Sequence, residues 1–133
     1  MYRLLIPIDD DEDRALRQAR FVTDQPYDLS EAEAVLTHVM HGREKDAPKS
    51  MQHPGRVASV KRAREYLEDH GVEVTTVEAS APPEDGIIEL VDEVDADHVV
   101  MGGRKRSPAG KAVFGSVTQT VILKSDVPVT VTG

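Results

Sequence analysis

The part of the chain best suited to chemistry runs Gly102-Gly103-Arg104-Lys105-Arg106-Ser107-Pro108-Ala109-Gly110-Lys111-Ala112-Val113-Phe114-Gly115-Ser116. Between His98 and Ser125 stand five basic residues and no acid, in a chain whose formal charge is −8. Glycines let a backbone approach a ligand closely. A helix beginning Gly115-Ser116-Val117 would also turn its unpaired N–H groups and the positive end of its dipole toward an anion. The chemistry these residues offer is phosphate recognition. One exposed charge–dipole contact contributes about 0.3–1 kcal/mol, whereas micromolar binding needs about 8 kcal/mol. Several contacts are therefore required, together with burial of whatever carries the phosphate.

Common phosphate signatures do not fit. Gly110-Lys111 has Lys105 where a P-loop needs its first glycine and Ala112 where it needs Ser or Thr, and no G-x-G-x-x-G follows the first apolar run. The acidic run Asp9-Asp10-Asp11-Glu12-Asp13 could supply oxygens to Mg²⁺ near a triphosphate through Asp9. Its other members read as helix caps and solvated charge. A phospho-receiver would need an aspartate after the third strand, where the chain has Glu78-Ala79-Ser80. His38 and His41 fall on a strand-to-loop junction, and His53, His70 and His98 are scattered, so no zinc site is expected. Cysteine is absent, which excludes thiol catalysis and disulfides. No Ser–His–Asp arrangement can be assembled from sequence, because sequence gives no proximity.

The elements that must position these residues follow from periodicity. Leu4 to Ile8 is a short apolar run of the kind buried on both faces. Asp13 to Thr23 places Ala15, Leu16, Ala19, Val22 and Thr23 on one helical side and Arg14, Arg17, Gln18 and Arg20 on the other, before Pro26. Ala34 to Met40 reads as a second strand and His41 to Pro54 as a loop. Arg56 to His70 reads as a helix closed by Gly71, and Val72 to Ala79 as a third strand. A helix opens at Pro82-Pro83-Glu84-Asp85, His98 to Met101 is a fourth strand, helical period returns from Phe114, and Asp126 to Thr132 is a last strand. The order βαβαβαβαβ predicts a parallel sheet with helices on both faces.

Ligands of such sheets lie outside the carboxyl ends of the strands, where strand order reverses. Asp9, Asp10, His38 to His41, and Gly102 to Ser116 are collected there. Pro128 cannot donate to a ladder, so the last strand is expected at an edge. Its alternating Val127, Val129 and Val131 suit pairing with a second copy.

With 133 residues, 39% apolar and 30% charged, the chain is expected to be one soluble cytoplasmic domain over residues 1–133. Its apolar runs are too short for a signal peptide or a membrane span. The acidic balance argues against a general grip on nucleic acid or an anionic membrane.

The basic glycine segment, the opening Ile6-Pro7-Ile8-Asp9 and the closing Val127-Pro128-Val129-Thr130-Val131 together resemble the universal stress protein family, over essentially the whole chain. ATP-binding members of that family carry Gly, two residues, Gly, nine residues, then Gly with Ser or Thr. Gly102, Gly115 and Ser116 match this pattern, and Lys105 stands at its middle glycine. The resemblance implies a five-stranded parallel sheet in the order 3-2-1-4-5 with helices on both faces, of the adenine nucleotide alpha hydrolase-like type. It implies nucleotide contacts from Pro7, Ile8 and Asp9, from Val39 at the base, from Gly102, Gly103, Arg104 and Lys105, and from Gly115, Ser116 and Val117 at the phosphates. ATP, with Mg²⁺ near Asp9, is the implied ligand, and a homodimer through the last strand the implied assembly. Lys105 could block close backbone approach or set an ammonium against phosphate. The retained expectation is an ATP-binding stress-response and signalling module. The alternatives are an interaction protein of the same fold without nucleotide, and a slow ATPase.

Overall fold

Alternation along the first strand divides the core in two. In the computed structural model, which describes residues 1–39, 57–103 and 115–133, Tyr2–Ile8 forms β1. Leu4, Ile6 and Ile8 face one side of the sheet and Leu5 the other, as the two-residue period of a strand requires. On the first side pack α1 (Glu12–Thr23) and α2 (Ala58–Asp69), through Ala15, Ala19, Val22, Val60, Ala63 and Leu67. On the second lie α3 (Pro83–Glu93) and α4 (Ser116–Lys124), through Ile87, Leu90, Val91 and Val121.

The remaining strands are β2 (Ala32–His38), β3 (Glu73–Thr76), β4 (His98–Gly102) and β5 (Val129–Thr132). All pairings are parallel, in the order β3-β2-β1-β4-β5. The expected sheet, order and two-sided helix packing are thus present. β1 pairs with β2 from Tyr2↔Ala32 through Ile8↔His38. With β4 it pairs only at Leu4↔His98 and Leu5↔Val99. The chain crosses from one half of the sheet to the other between those neighbours of β1, so the strand order reverses there.

Several boundaries differ from the sequence expectation. β5 begins at Val129, so Pro128 precedes the strand, although its carbonyl still accepts from the Val99 N–H at 2.9 Å. Pro128 therefore leaves the edge position of β5 correct and the strand shorter. β3 covers only four residues, because the ladder to β2 ends at Leu36↔Thr76. β2 stops at His38, and a short 3-10 turn, Leu29–Glu31, leads into it. α1 ends at Thr23 as expected, with Asp24 as its cap, and begins one residue earlier, at Glu12. Gly71, with φ 84°, follows α2 as expected. α4 starts at Ser116, two residues later than its periodicity suggested. The loop expected over His41 to Pro54 lies outside the described residues.

Gln18 is the largest departure. Expected on the solvent side of α1, it is buried, with 1% of its surface exposed. The reason is a demand for hydrogen bonds that apolar patterning does not register. Among the described residues, no helix is long and apolar enough to cross a membrane.

Candidate functional site

Proline in a central strand removes one rung of the ladder. Pro7 lies in β1, between β2 and β4, and past Leu5 and Val99 the two inner strands no longer pair. The carbonyls that face each other across the gap are those of Pro7 and Val100. Gln18 answers both: its Nε2 donates to Pro7 O at 2.7 Å and to Val100 O at 3.0 Å. The side-chain amide stands in for the missing backbone donor while the strands splay. That splay opens a cleft at their carboxyl ends.

The cleft measures about 610 Å³, counting the part open to solvent. Pro7 and Asp9 from the end of β1, Val39 beyond β2, and Met101 and Gly102 from β4 form its floor. Gly115, Ser116, Val117 and Thr118 close it from the start of α4. Gly115 is the N-cap of that helix and offers no side-chain oxygen. The first-turn N–H groups, which have no intrahelical acceptor, therefore face the cleft without a competing cap.

Arg14 crosses the cleft from α1. Its Nη1 donates to Asp9 Oδ2, its Nε donates to the Gly103 carbonyl at 3.0 Å, and its Nη2 lies 3.8 Å from Asp11 Oδ2. The path exists because residue 102 is glycine. A Cβ there would sit 2.6 Å from both Cγ and Cδ of Arg14 and 3.0 Å from Gln18 Oε1. Gly103 is equally constrained, since a Cβ would meet the Thr132 carbonyl oxygen at 2.4 Å. Its N–H donates to that oxygen at 2.5 Å, tying the end of β5 to the cleft rim.

The turn between β1 and α1 is fixed by its acids. Asp11 caps α1 by accepting from the Arg14 N–H at 3.0 Å. That bond holds the Asp11 carboxyl below its ordinary value, with the Arg14 and Arg17 charges adding to the effect. Asp9 Oδ1 accepts from the Asp11 N–H at 3.0 Å, so both of its oxygens are engaged. Ser59 Oγ donates to the Asp9 carbonyl at 2.5 Å, anchoring the turn to α2. Among the described residues, no three His, Asp or Glu side chains gather as a metal cage.

Of the residues singled out from sequence, Pro7, Asp9, Val39, Gly102, Gly115, Ser116 and Val117 line one cleft. Ile8 points instead into the core on the α1–α2 side, and Gly103 sits beneath the rim. Arg104 and Lys105 lie outside the described residues. Val127, Val129 and Val131 pack half-buried against the core on the α3–α4 side. Sequence reasoning missed Arg14, Gln18, Met101 and Thr118 as cleft residues. The signal available for Gln18 was Pro7: a central strand with a proline needs a donor from elsewhere.

Comparison with known proteins adds the lineage. A model of the universal stress protein family matches residues 1–133. The chain belongs to the universal stress protein family. A universal stress protein from Archaeoglobus fulgidus is 29% identical, with a TM-score of 0.75 over 100% of this chain and 99% of its own. A universal stress protein structure from the same organism, in complex with dAMP, is 24% identical, with a TM-score of 0.74 over 100% and 98% of the two chains. At that identity the likeness is one of fold. Stress response protein NhaX of Bacillus subtilis is 40% identical over 47 residues, a stretch covering 35% of this chain and 28% of that protein. In this family member the glycine pattern is Gly102, Lys105, Gly115 and Ser116, and both flanking parts of the pattern reach the cleft.

Proposed function

We propose that the chain binds an adenine nucleotide, ATP in the first place, in the cleft at the carboxyl ends of β1 and β4, and that it acts as a homodimeric stress-response module. One observation carries the reading: residues far apart in sequence, from Pro7 and Asp9 through Val39 and Gly102 to Gly115–Val117, line a single cleft that ends on an uncapped helix start. The dAMP complex of the Archaeoglobus fulgidus protein supports an adenylate as the class of ligand for this fold.

The residues divide the work by chemistry. Phosphate oxygens accept from the first N–H groups of α4 and approach the backbone at Gly102, where a side chain would intrude. Arg14 supplies a guanidinium at the same rim, already balanced by Asp9. The base rests on Val39, which the cleft shares with an adjoining, more apolar hollow that includes His38, Ala79, Ala81 and Pro83. Asp9 reaches the sugar or a Mg²⁺ carried in by the triphosphate only by exchanging one of its two present partners. No protein-built Mg²⁺ cage is part of the proposal.

The assembly reading rests on the open edge of β5. The Pro128 and Thr132 carbonyls bond toward β4 and its outgoing loop, so the alternating peptide groups of Val129 and Val131 face outward. α4, the helix that leads into β5, exposes Ile122 and Leu123, the latter at 84%. A second copy adding to this edge would satisfy those groups and cover that surface.

The test is titration of the purified protein with labelled ATP, beside Lys105→Gly and Gly115→Trp. Saturable binding by the native chain, lost in Gly115→Trp, is the expected result. Thermal stabilisation should rise with ATP as RT ln(1 + [L]/Kd). No saturable binding well above micromolar concentration overturns the nucleotide reading. A monomer in sedimentation equilibrium overturns the dimer.

A further inference from the structure

The opposite end of the sheet holds a second hollow, of about 410 Å³ by the same measure, lined by Tyr2, Leu4, Phe21, Gln25, Tyr27 and His98. It collects three of the chain's aromatic side chains, although the whole sequence has only three Tyr, two Phe and no Trp. The rings form a continuous wall. Tyr27 meets Tyr2 at a centroid distance of 5.6 Å, Tyr2 meets the His98 ring at 6.1 Å, and Phe21 meets His98 at 5.7 Å.

This wall is held in place. The Tyr2 hydroxyl and His98 Nδ1 are 2.9 Å apart, and His98 Nε2 is 2.7 Å from Thr130 Oγ1. Burial pushes the His98 imidazole down, so the ring stays neutral near pH 7 and matches one donor with one acceptor. Gln25 donates its amide to the Phe21 carbonyl at 2.9 Å, leaving Oε1 as its accepting end. The Tyr27 hydroxyl is buried and has no hydrogen-bond partner among the described residues. Such a group is expected to have one, from protein, water or ligand.

One charge acts on the Tyr2 hydroxyl, and it is negative. Among the described residues, no Lys or Arg lines the hollow. The Asp97 carboxylate, which accepts from the Arg3 N–H at 2.9 Å, lies near enough to raise the Tyr2 hydroxyl further, beyond the larger effect of burial. Negative ring faces, accepting oxygens and a neighbouring carboxylate favour a positive charge. The apolar floor of Leu4 and Phe21 disfavours a strongly hydrated one. A cation with its charge spread over methyl groups meets both conditions, whereas a metal ion would require an oxygen cage.

We propose that this hollow binds a small organic cation of the methylated-ammonium class, seated on the faces of Tyr2, Phe21 and Tyr27. The proposal is independent of the nucleotide cleft. It is tested by titrating the full chain with tetramethylammonium chloride while following aromatic ring signals by NMR. The ring signals of Tyr2, Phe21 and Tyr27 should shift saturably, and those of Tyr66, which lies on α2, should not. Sodium chloride at matched ionic strength should not reproduce the shift. The uncharged analogue tert-butanol should bind more weakly by about fivefold or more, the factor expected from one cation–π contact. Tyr27→Leu should weaken binding by a similar factor. If that variant does not fold, Tyr2→Leu at the exposed rim decides. An absent or non-saturable response, equal binding of tert-butanol, or unchanged affinity in a folded Tyr2→Leu protein overturns the proposal.

Discussion

Replacing Gln18 by Met tests what holds the two inner strands at their point of divergence. Methionine keeps the length and apolar bulk of the side chain but donates nothing, so the Pro7 and Val100 carbonyls lose their shared donor. A buried polar group left without a partner costs about 1–3 kcal/mol. Two such groups would cost about 2–6 kcal/mol if neither found water. The native amide, however, also buries an Oε1 without a partner among the described residues, and its removal offsets part of that cost. The expected net loss is about 2–3 kcal/mol, a large share of the roughly 5–15 kcal/mol that holds an ordinary domain together. For a chain of this size it should lower Tm by roughly 10 °C. Urea unfolding followed by circular dichroism measures it, with an unchanged m-value confirming that only the native state was affected. Gln18→Glu should be at least as damaging near neutral pH, because a carboxylate cannot donate. A Met variant within about 0.5 kcal/mol of the native protein would refute the role given to this amide, since that is the range of an ordinary surface substitution.

Asp11→Ala should cost about 1 kcal/mol through loss of the α1 cap, measured by the same unfolding curves. Because the folded Asp11 carboxyl lies below its ordinary 3.8, its contribution is present above that pH and lost as the pH falls through the lowered value; Asp11→Ala should flatten stability there. His98 lies below its ordinary 6.5, so the unfolded chain takes up its proton first. Stability should therefore fall as the pH drops below about 6.5, and His98→Gln should remove that part of the slope. Arg14→Ala leaves Asp9 and Asp11 unbalanced beside the cleft, and should weaken ATP binding by about tenfold, the equivalent of one charge-assisted contact. Equal or tighter binding in a folded Arg14→Ala protein would contradict the placement of its guanidinium toward phosphate.

Much of the fold was legible because it is written in periods. Leu4, Ile6 and Ile8 against Leu5 give the strand, and Ala15, Ala19 and Val22 give the helix face that covers it. The edge position of β5 followed from Pro128, even though that residue lies outside the strand. Glycine spacing pointed to the cleft, since Gly102 and Gly115 need no partner to reveal their use. Gln18 and Arg14 escaped because a helical wheel sorts side chains by polarity alone. Both carry long polar groups inward to answer needs created elsewhere, by Pro7 in one case and by Asp9 and the Gly103 carbonyl in the other. The aromatic hollow was invisible for a related reason: Tyr2, Phe21, Tyr27 and His98 belong to separate segments, and only the sheet brings them together.

The hydrogen bond from Gly103 to Thr132 has a practical side. It makes the tail of the last strand a lever on the cleft: Thr132 is clamped to the N–H of the residue whose carbonyl Arg14 grips. Labels, tags or surface tethers joined after Gly133 would tug directly on that clamp. The outer face of α2, where Lys61 and Arg64 stand in solvent, is the safer handle for any probe meant to leave the molecule as it was.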